Sequence, residues 1–347
     1  MKLFGSKRQR IIAADLGTTS FKVAEVQRDA SGLTLTAFGA KPIPSGAIEK
    51  RDVKELVSVL KSLLAERNIP AGPATAVVSP RSSLLRIVEL PLMPLNELKQ
   101  SLKANSLRFL HQDCSSYAMD CHILGQKSGA AGDTTANRVQ VLVVGAPMEE
   151  VRFYRDIMAA AGLKPREMTL SAIAMLNAFE ASQAKDFTEE TVSLIDAANM
   201  SSTMLVLHKG VPMLTRSLQF GGNHLRSTLM RALNLDAAKA EKESLTMGDA
   251  AQKALQRPLD EFAKEIRSSV DFFEHQRGEP VSKIYLAGGN ACQPFVLTFL
   301  QEHVGMPCLA WNPAQTITQK LSTERSAELL TQGPIMAAAI GAAITSS

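Results

Sequence analysis

Two acidic residues stand where chemistry with phosphate would need them. Asp15 closes the apolar run Ile11–Ala14 and precedes the turn Gly17, Thr18, Thr19, Ser20. Asp196 closes Leu194-Ile195 and precedes a second small and hydroxyl-rich turn holding Ser201 and Ser202. The two segments, IAADLGTTSFKV (12–23) and SLIDAANMSSTMLV (193–206), resemble one another with Asp15 matching Asp196, which reads as a duplication of one lobe. Turns of this kind gather backbone N–H groups and hydroxyls around an anion. Two of them face to face would clamp a polyphosphate from both sides. The neighbouring carboxylates, Asp15 and Asp196, would orient waters on Mg²⁺, which keeps most of its water shell and takes few protein ligands. Lys22 lies within reach of the same phosphates, and Gly288-Gly289 after an apolar strand would let backbone approach a nucleotide. Each feature alone has an ordinary reading: Asp at a turn, Gly-Gly in a loop, Glu241 on a solvated charged helix. Their order along the chain gives them joint meaning.

The elements that must position these residues follow from hydrophobic periodicity. Strands are predicted at 10–15, 20–27 and 33–40, then a helix capped by Asp52 with Leu56, Leu60, Leu63 and Leu64 on one face, then a strand at 74–79. Residues 84–166 read as a compact α+β unit: strand 84–90, helix 95–110, strand 117–124, loop 126–137, strand 138–145 and helix 147–161. An apolar helix at 170–181 leads to a strand-turn-strand pattern over 192–210. Helices at 223–234, 236–246 and 259–276, a buried strand at 281–286, and a small-residue helix at about 334–345 complete the plan. The division expected is a first lobe from 1–83 and 167–190, an inserted subdomain 84–166, a second lobe 191–333, and a closing helix 334–347 that returns to the first lobe.

The chain has 347 residues, which at roughly 100–200 per domain suits two or three such units. With 45% hydrophobic and 21% charged residues it can bury sizeable cores, which excludes wholesale disorder. The net charge of +4 sits in residues 1–10 (MKLFGSKRQR), since the other Lys and Arg equal the 34 acidic residues. With aromatics at 5%, a basic, stacking-rich nucleic-acid surface is not expected. No stretch approaches the ~20 apolar residues of a membrane span, residues 335–344 (IMAAAIGAAI) being too short, so a cytosolic protein is expected. His111, Cys114, Cys121 and His122 are too widely spaced for a typical zinc site, and the cysteines read as buried thiols. Walker A, GxGxxG, GxSxG and HExxH strings do not occur.

The order of motifs resembles the actin-like ATPases, and within them the PilM family of type IV pilus assembly proteins, related to the division protein FtsA. The segments that carry the resemblance are IIAADLGTTSFKVAEV (11–26), LLRIVELPLMPLNELKQSL (84–102), VLVVGAPMEEVRFYRDIMAAAGLKP (141–165), LIDAANMSST (194–203), LQFGGNHLRSTLMRALNLDAAKAE (218–241), IYLAGGNA (284–291), Asn312-Pro313 and AIGAAI (339–344). It implies an α/β, actin-like fold (ribonuclease H-like and duplicated) of two lobes, with an α+β subdomain inserted in the first. It further implies ATP and Mg²⁺ between the lobes. Gly17, Thr18, Thr19, Ser20, Lys22, Ser201 and Ser202 would then be on phosphate, Asp15 and Asp196 on Mg²⁺ through water, Glu241 toward the nucleoside, and Gly288, Gly289 and Asn290 along adenosine and the α-phosphate.

Three departures bear on turnover. Ala198 stands where relatives usually carry Gly, Ala240-Glu241 is followed by Lys242-Glu243-Ser244 without the usual Lys, and Leu170-Ser171-Ala172 offers no water-orienting Gln or Glu. Nucleotide binding is therefore expected rather than rapid hydrolysis. The function implied is a cytoplasmic scaffold, peripheral to the inner-membrane face, that recruits the cytoplasmic tail of a PilN-like bitopic membrane protein. It touches the membrane only through that partner, with self-association a further option. Alternatives are an FtsA-like filament protein, disfavoured because the chain stops at Ser347 just after its closing helix, a secretion-system scaffold of the same fold, and a sugar kinase of the same superfamily, which would need a base Asp in the cleft.

Overall fold

Ile12, Ala14 and Leu16 pack into one core while Ala13 packs into another, and this alternation organises the molecule around the first strand. The computed structural model describes residues 9–30, 32–80, 82–126, 138–289 and 293–345. Strands β1 (Gln9–Leu16), β2 (Ser20–Asp29) and β3 (Gly32–Pro42) form an antiparallel meander. β4 (Gly72–Val78) adds parallel to β1, and β8 (Leu163–Leu170) parallel to β4. β9 (Thr191–Ala197), β10 (Ser202–His208) and β11 (Val211–Leu218) repeat the meander. There β12 (Lys283–Gly288) lies parallel to β9, and β13 (Cys308–Ala310) parallel to β12. The strand orders β3-β2-β1-β4-β8 and β11-β10-β9-β12-β13 are thus the same order twice. The sequence duplication is a structural one.

Three cores stack across these sheets. Helices α1 (Val53–Glu66) and α4 (Met148–Ala160) cover the outer face of the first sheet with Leu56, Leu60, Phe153 and Ile157. Helices α7 (Gly222–Leu233), α9 (Asp249–Arg277) and α10 (Pro294–Val304) cover the outer face of the second. Between the sheets lie α5 (Ser171–Ser182) and α12 (Ala337–Thr345), in one core that also takes Ala13, Ala24 and Val26 from the first sheet and Val192, Leu194 and Leu205 from the second. The small residues of α12 allow its close approach to α5, and a Cβ on Gly341 would stand 1.8 Å from the Ala174 carbonyl oxygen.

A separate three-stranded sheet, β5-β7-β6, is built from β5 (Leu84–Pro91), β6 (Tyr117–Gln126) and β7 (Arg138–Pro147). Leu98 and Leu102 of α2 (Leu95–Ala104) and Leu110 of α3 (Ser106–Leu110) complete its core. The single helix expected over 95–110 is two, parted at Asn105.

Two boundaries differ from those expected. The inserted sheet ends with β7, because α4 and β8 pack into the first lobe's sheet and outer core. The return to that lobe begins before residue 334: β14 (Thr318–Gln319) pairs with β3, and Arg325 of α11 (Thr323–Gln332) donates to the Phe38 carbonyl. Helix α9 also starts earlier than the expected 259, running through the buried Pro258. The helical run Thr323–Thr345 is, against expectation, long enough to cross a membrane and holds an 18-residue window apolar enough to do so, with a mean hydropathy of 1.3. Its α12 portion is buried between the two sheets from Ala337 to Ile344.

Candidate nucleotide site between the lobes

Asp15 lies on β1 on the same side as Ala13, and Asp196 lies on β9 on the same side as Val192 and Leu194. Both sides belong to the core that separates the two sheets, so strand alternation turns both carboxyl groups toward one interlobe space. Asp15 pairs across the β1–β2 hairpin with Lys22, whose Nζ lies 2.8 Å from Oδ2. Gly17 makes that turn tight, since a Cβ there would stand 2.9 Å from the Ser20 carbonyl oxygen and 3.3 Å from Lys22 Nζ. The turn is pinned from below by Ile43 N–H, which donates to the Thr19 carbonyl at 2.9 Å. Thr19 is exposed, and Thr18 and Ser20 are half-buried.

Asp196 is buried and makes no ion pair among the described residues. Burial pushes its carboxyl up to about 6, the like charge of Asp15 pushes the same way, and a hydrogen bond from the Ser171 hydroxyl and the Lys22 ammonium push back. Asp15, Lys22 and Asp196 therefore share one field, with a single ammonium among two carboxyl groups. Ser171 opens α5, so the helix between the sheets presents its first residue to the site. Tyr154 of α4 borders it too, its phenol raised by burial and by the charges of Glu150 and Asp15.

The second turn runs beside a glycine pair. Gly222 N–H donates to the Ala198 carbonyl at 3.2 Å and Asn223 N–H to the Asn199 carbonyl at 2.8 Å. A Cβ on Gly221 would meet that Asn199 carbonyl oxygen at 2.5 Å. Asn199 Nδ2 donates to Thr18 Oγ1 at 3.4 Å, linking the two turns across the lobes. Ser201 is half-buried beside them. Ser202 is fully buried and donates to the Phe220 carbonyl at 2.7 Å, so its hydroxyl is committed to the fold and cannot serve as the phosphate donor that the sequence suggests. Glu241, on α8 (Ala237–Thr246), is exposed and paired with Arg226, Nε to Oε2 at 3.2 Å.

Gly288 ends β12 at φ +101°, and a Cβ would stand 2.3 Å from the Ala197 carbonyl oxygen. Close strand approach therefore requires this glycine whether or not a ligand is bound. Gly289 is exposed with open space beside it. Asn290 lies outside the described residues. Sequence reasoning placed Asn199 in the second turn and Arg226 in the segment 218–241 without giving either side chain a role, and it weighed Ser171 only for the base it does not supply. Cys114, Cys121 and Cys308 are buried and free.

Two lobes of one duplicated strand order, each turning an acidic hairpin toward the shared interface, define the actin-like ATPase fold. Within it, the chain belongs to the family of type IV pilus assembly protein PilM, whose family model matches residues 13–347. A solved PilM-PilN type IV pilus biogenesis complex contains a chain 24% identical to this one, with a TM-score of 0.83 over 96% of this chain and 97% of that. The ethanolamine utilization protein EutJ from Carboxydothermus hydrogenoformans is 12% identical, with a TM-score of 0.56 over 97% of this chain and 90% of that, a likeness of fold.

Proposed function

We propose that this chain binds Mg-ATP between its lobes and serves as a cytoplasmic scaffold of a type IV pilus-like machine, recruiting the tail of a PilN-like membrane protein to which closure of the lobes is coupled. The observation that carries the reading is the convergence of Asp15 and Asp196 on one buried space where, among the described residues, Lys22 is the cation that faces both. A buried excess of negative charge suits a divalent cation. Magnesium, when bound, supplies charge neutralisation of the phosphates through its waters. Asp15 and Asp196 would hold those waters, the N–H groups of 17–20 and 198–201 would cradle phosphate, and Lys22 would exchange Asp15 for a phosphate oxygen. Glu241 and the stretch from Gly288 would face the nucleoside. Ser171 spends its hydroxyl on Asp196, which leaves binding rather than rapid turnover as the expected activity.

The partner is suggested by the PilM-PilN complex among the similar structures. The inserted sheet touches the second lobe where Thr215 of β11 donates to the Leu85 carbonyl of β5 at 3.2 Å. Movement of the second lobe would therefore reach the insertion directly. The test is fluorescence anisotropy with a labelled peptide of the PilN-like tail, with and without Mg-ATP. The expected result is tail binding whose affinity changes with nucleotide; no binding in either condition contradicts the scaffold reading.

A further inference from the structure

Arg226 lies within the segment LQFGGNHLRSTLMRALNLDAAKAE (218–241), where the sequence gives its side chain no role. It projects from α7 into the space between the second turn and α8, with its side chain 18% exposed. One nitrogen, Nη2, donates to Asn199 Oδ1, while Nε faces Glu241 Oε2 at 3.2 Å. Gly222 makes room for it: a Cβ there would stand 3.2 Å from Nη1 and 3.4 Å from Asn199 Oδ1. Through Asn199 the chain of contacts continues to Thr18 in the first lobe. The guanidinium is thus the only group in the sequence Thr18, Asn199, Arg226, Glu241 that touches both the turn and α8.

We propose that Arg226 is a positioning residue that joins the two ends of the nucleotide site, fixing Glu241 at the nucleoside end relative to the Asn199 turn at the phosphate end; this rests on the reading of the cleft given above. A half-exposed ion pair contributes little to stability, and Glu241 without Arg226 would be one more solvated acid beside Lys239 and Lys242. The fork of an arginine holds two acceptors at fixed separation, which a lysine, with a point charge on a flexible stem, does not. The arrangement therefore acts on geometry: the phosphate turn and the nucleoside contact are held in one register, and ligand that spans both gains over ligand that fills only one.

The experiment compares ATP with inorganic tripolyphosphate, both with Mg²⁺, by isothermal titration calorimetry on the full chain. Wild type is expected to prefer ATP. In Arg226→Ala that preference falls about tenfold, the size of one charge-assisted hydrogen bond. Tripolyphosphate affinity falls less than ATP affinity, and the melting temperature stays near wild type. Arg226→Lys shows a partial loss, Glu241→Gln the same loss as Arg226→Ala, and the double variant no further loss. An unchanged ratio of ATP to tripolyphosphate affinity in Arg226→Ala, or in Arg226→Lys and Glu241→Gln if the alanine variant fails to fold, overturns the inference while leaving the nucleotide reading intact. Wild type binding neither ligand overturns the nucleotide reading itself, and this inference with it.

Discussion

Thr18 and Asn199 hydrogen-bond across the lobes at 3.4 Å, and they are 181 positions apart in the chain, the same separation that relates Asp15 to Asp196. The contact is between equivalent residues of a duplicated hairpin, so the two hairpins meet through matching positions. The same shift relates Lys22, opposite Asp15, to Thr203, opposite Asp196. The symmetry is broken at that point. One hairpin supplies an ammonium next to its carboxylate, and the other a neutral hydroxyl. This asymmetry leaves the cleft with more negative than positive charge, and it makes Asp196 the group most sensitive to what enters.

Asp196→Asn is predicted to stabilise the nucleotide-free protein at neutral pH. A carboxyl whose folded value is raised from 3.8 to about 6 contributes stability that is fully present below pH 4 and is lost as pH rises through 6. The loss is about 3 kcal/mol at most, taking 1.36 kcal/mol per unit. Melting temperatures of wild type and Asp196→Asn, measured from pH 4 to 8 without nucleotide, are expected to diverge as pH rises, with the variant the more stable above pH 6. Parallel curves would show that Asp196 does not carry this burden.

The meander β1–β3 declares itself through alternation, and Asp52 caps α1 by accepting from Glu55 N–H as its position predicts. β8 was hidden because its sequence, LKPREMTL, carries charge and a proline; as the last strand of the sheet it leaves much of its surface to solvent, and its register slips beside Pro165. The helix expected over 259–276 begins just after Pro258, yet α9 absorbs that proline in a buried position. In the cleft, Asp15, Gly17 and Asp196 stand out because local sequence sets a turn. Ser171 and Arg226 reach the site only through packing of α5 and α7, and no local pattern encodes that.

The closeness of α5 and α12 is the mechanical base of both lobes. Gly341→Ala would drive a Cβ into the Ala174 carbonyl, 1.8 Å away, with the Ala178 methyl also at 2.9 Å. Over-packing of this kind costs about 1–3 kcal/mol, and a lower urea midpoint is expected. Wild-type stability in Gly341→Ala would mean that the helices can part without consequence.

Thr215→Val replaces the hydroxyl that donates to Leu85 with a methyl group of the same shape. Tail affinity without nucleotide and ATP affinity are each expected to stay within about twofold of wild type, since one neutral hydrogen bond is worth about 1 kcal/mol or less. The change in tail affinity that ATP produces should shrink. Anisotropy titrations with and without Mg-ATP measure it, and an undiminished response would place the coupling elsewhere than β5 and β11.

The measurement closest to the centre of the account is a calorimetric titration of ATP, with and without Mg²⁺, into wild type, Asp15→Asn, Asp196→Asn and the double variant. If both carboxylates act on one metal-bound triphosphate, each single variant loses the magnesium-dependent part of the affinity, and the double variant loses no more than either alone. Full magnesium dependence surviving in either single variant, or two losses that simply add, would contradict a shared site.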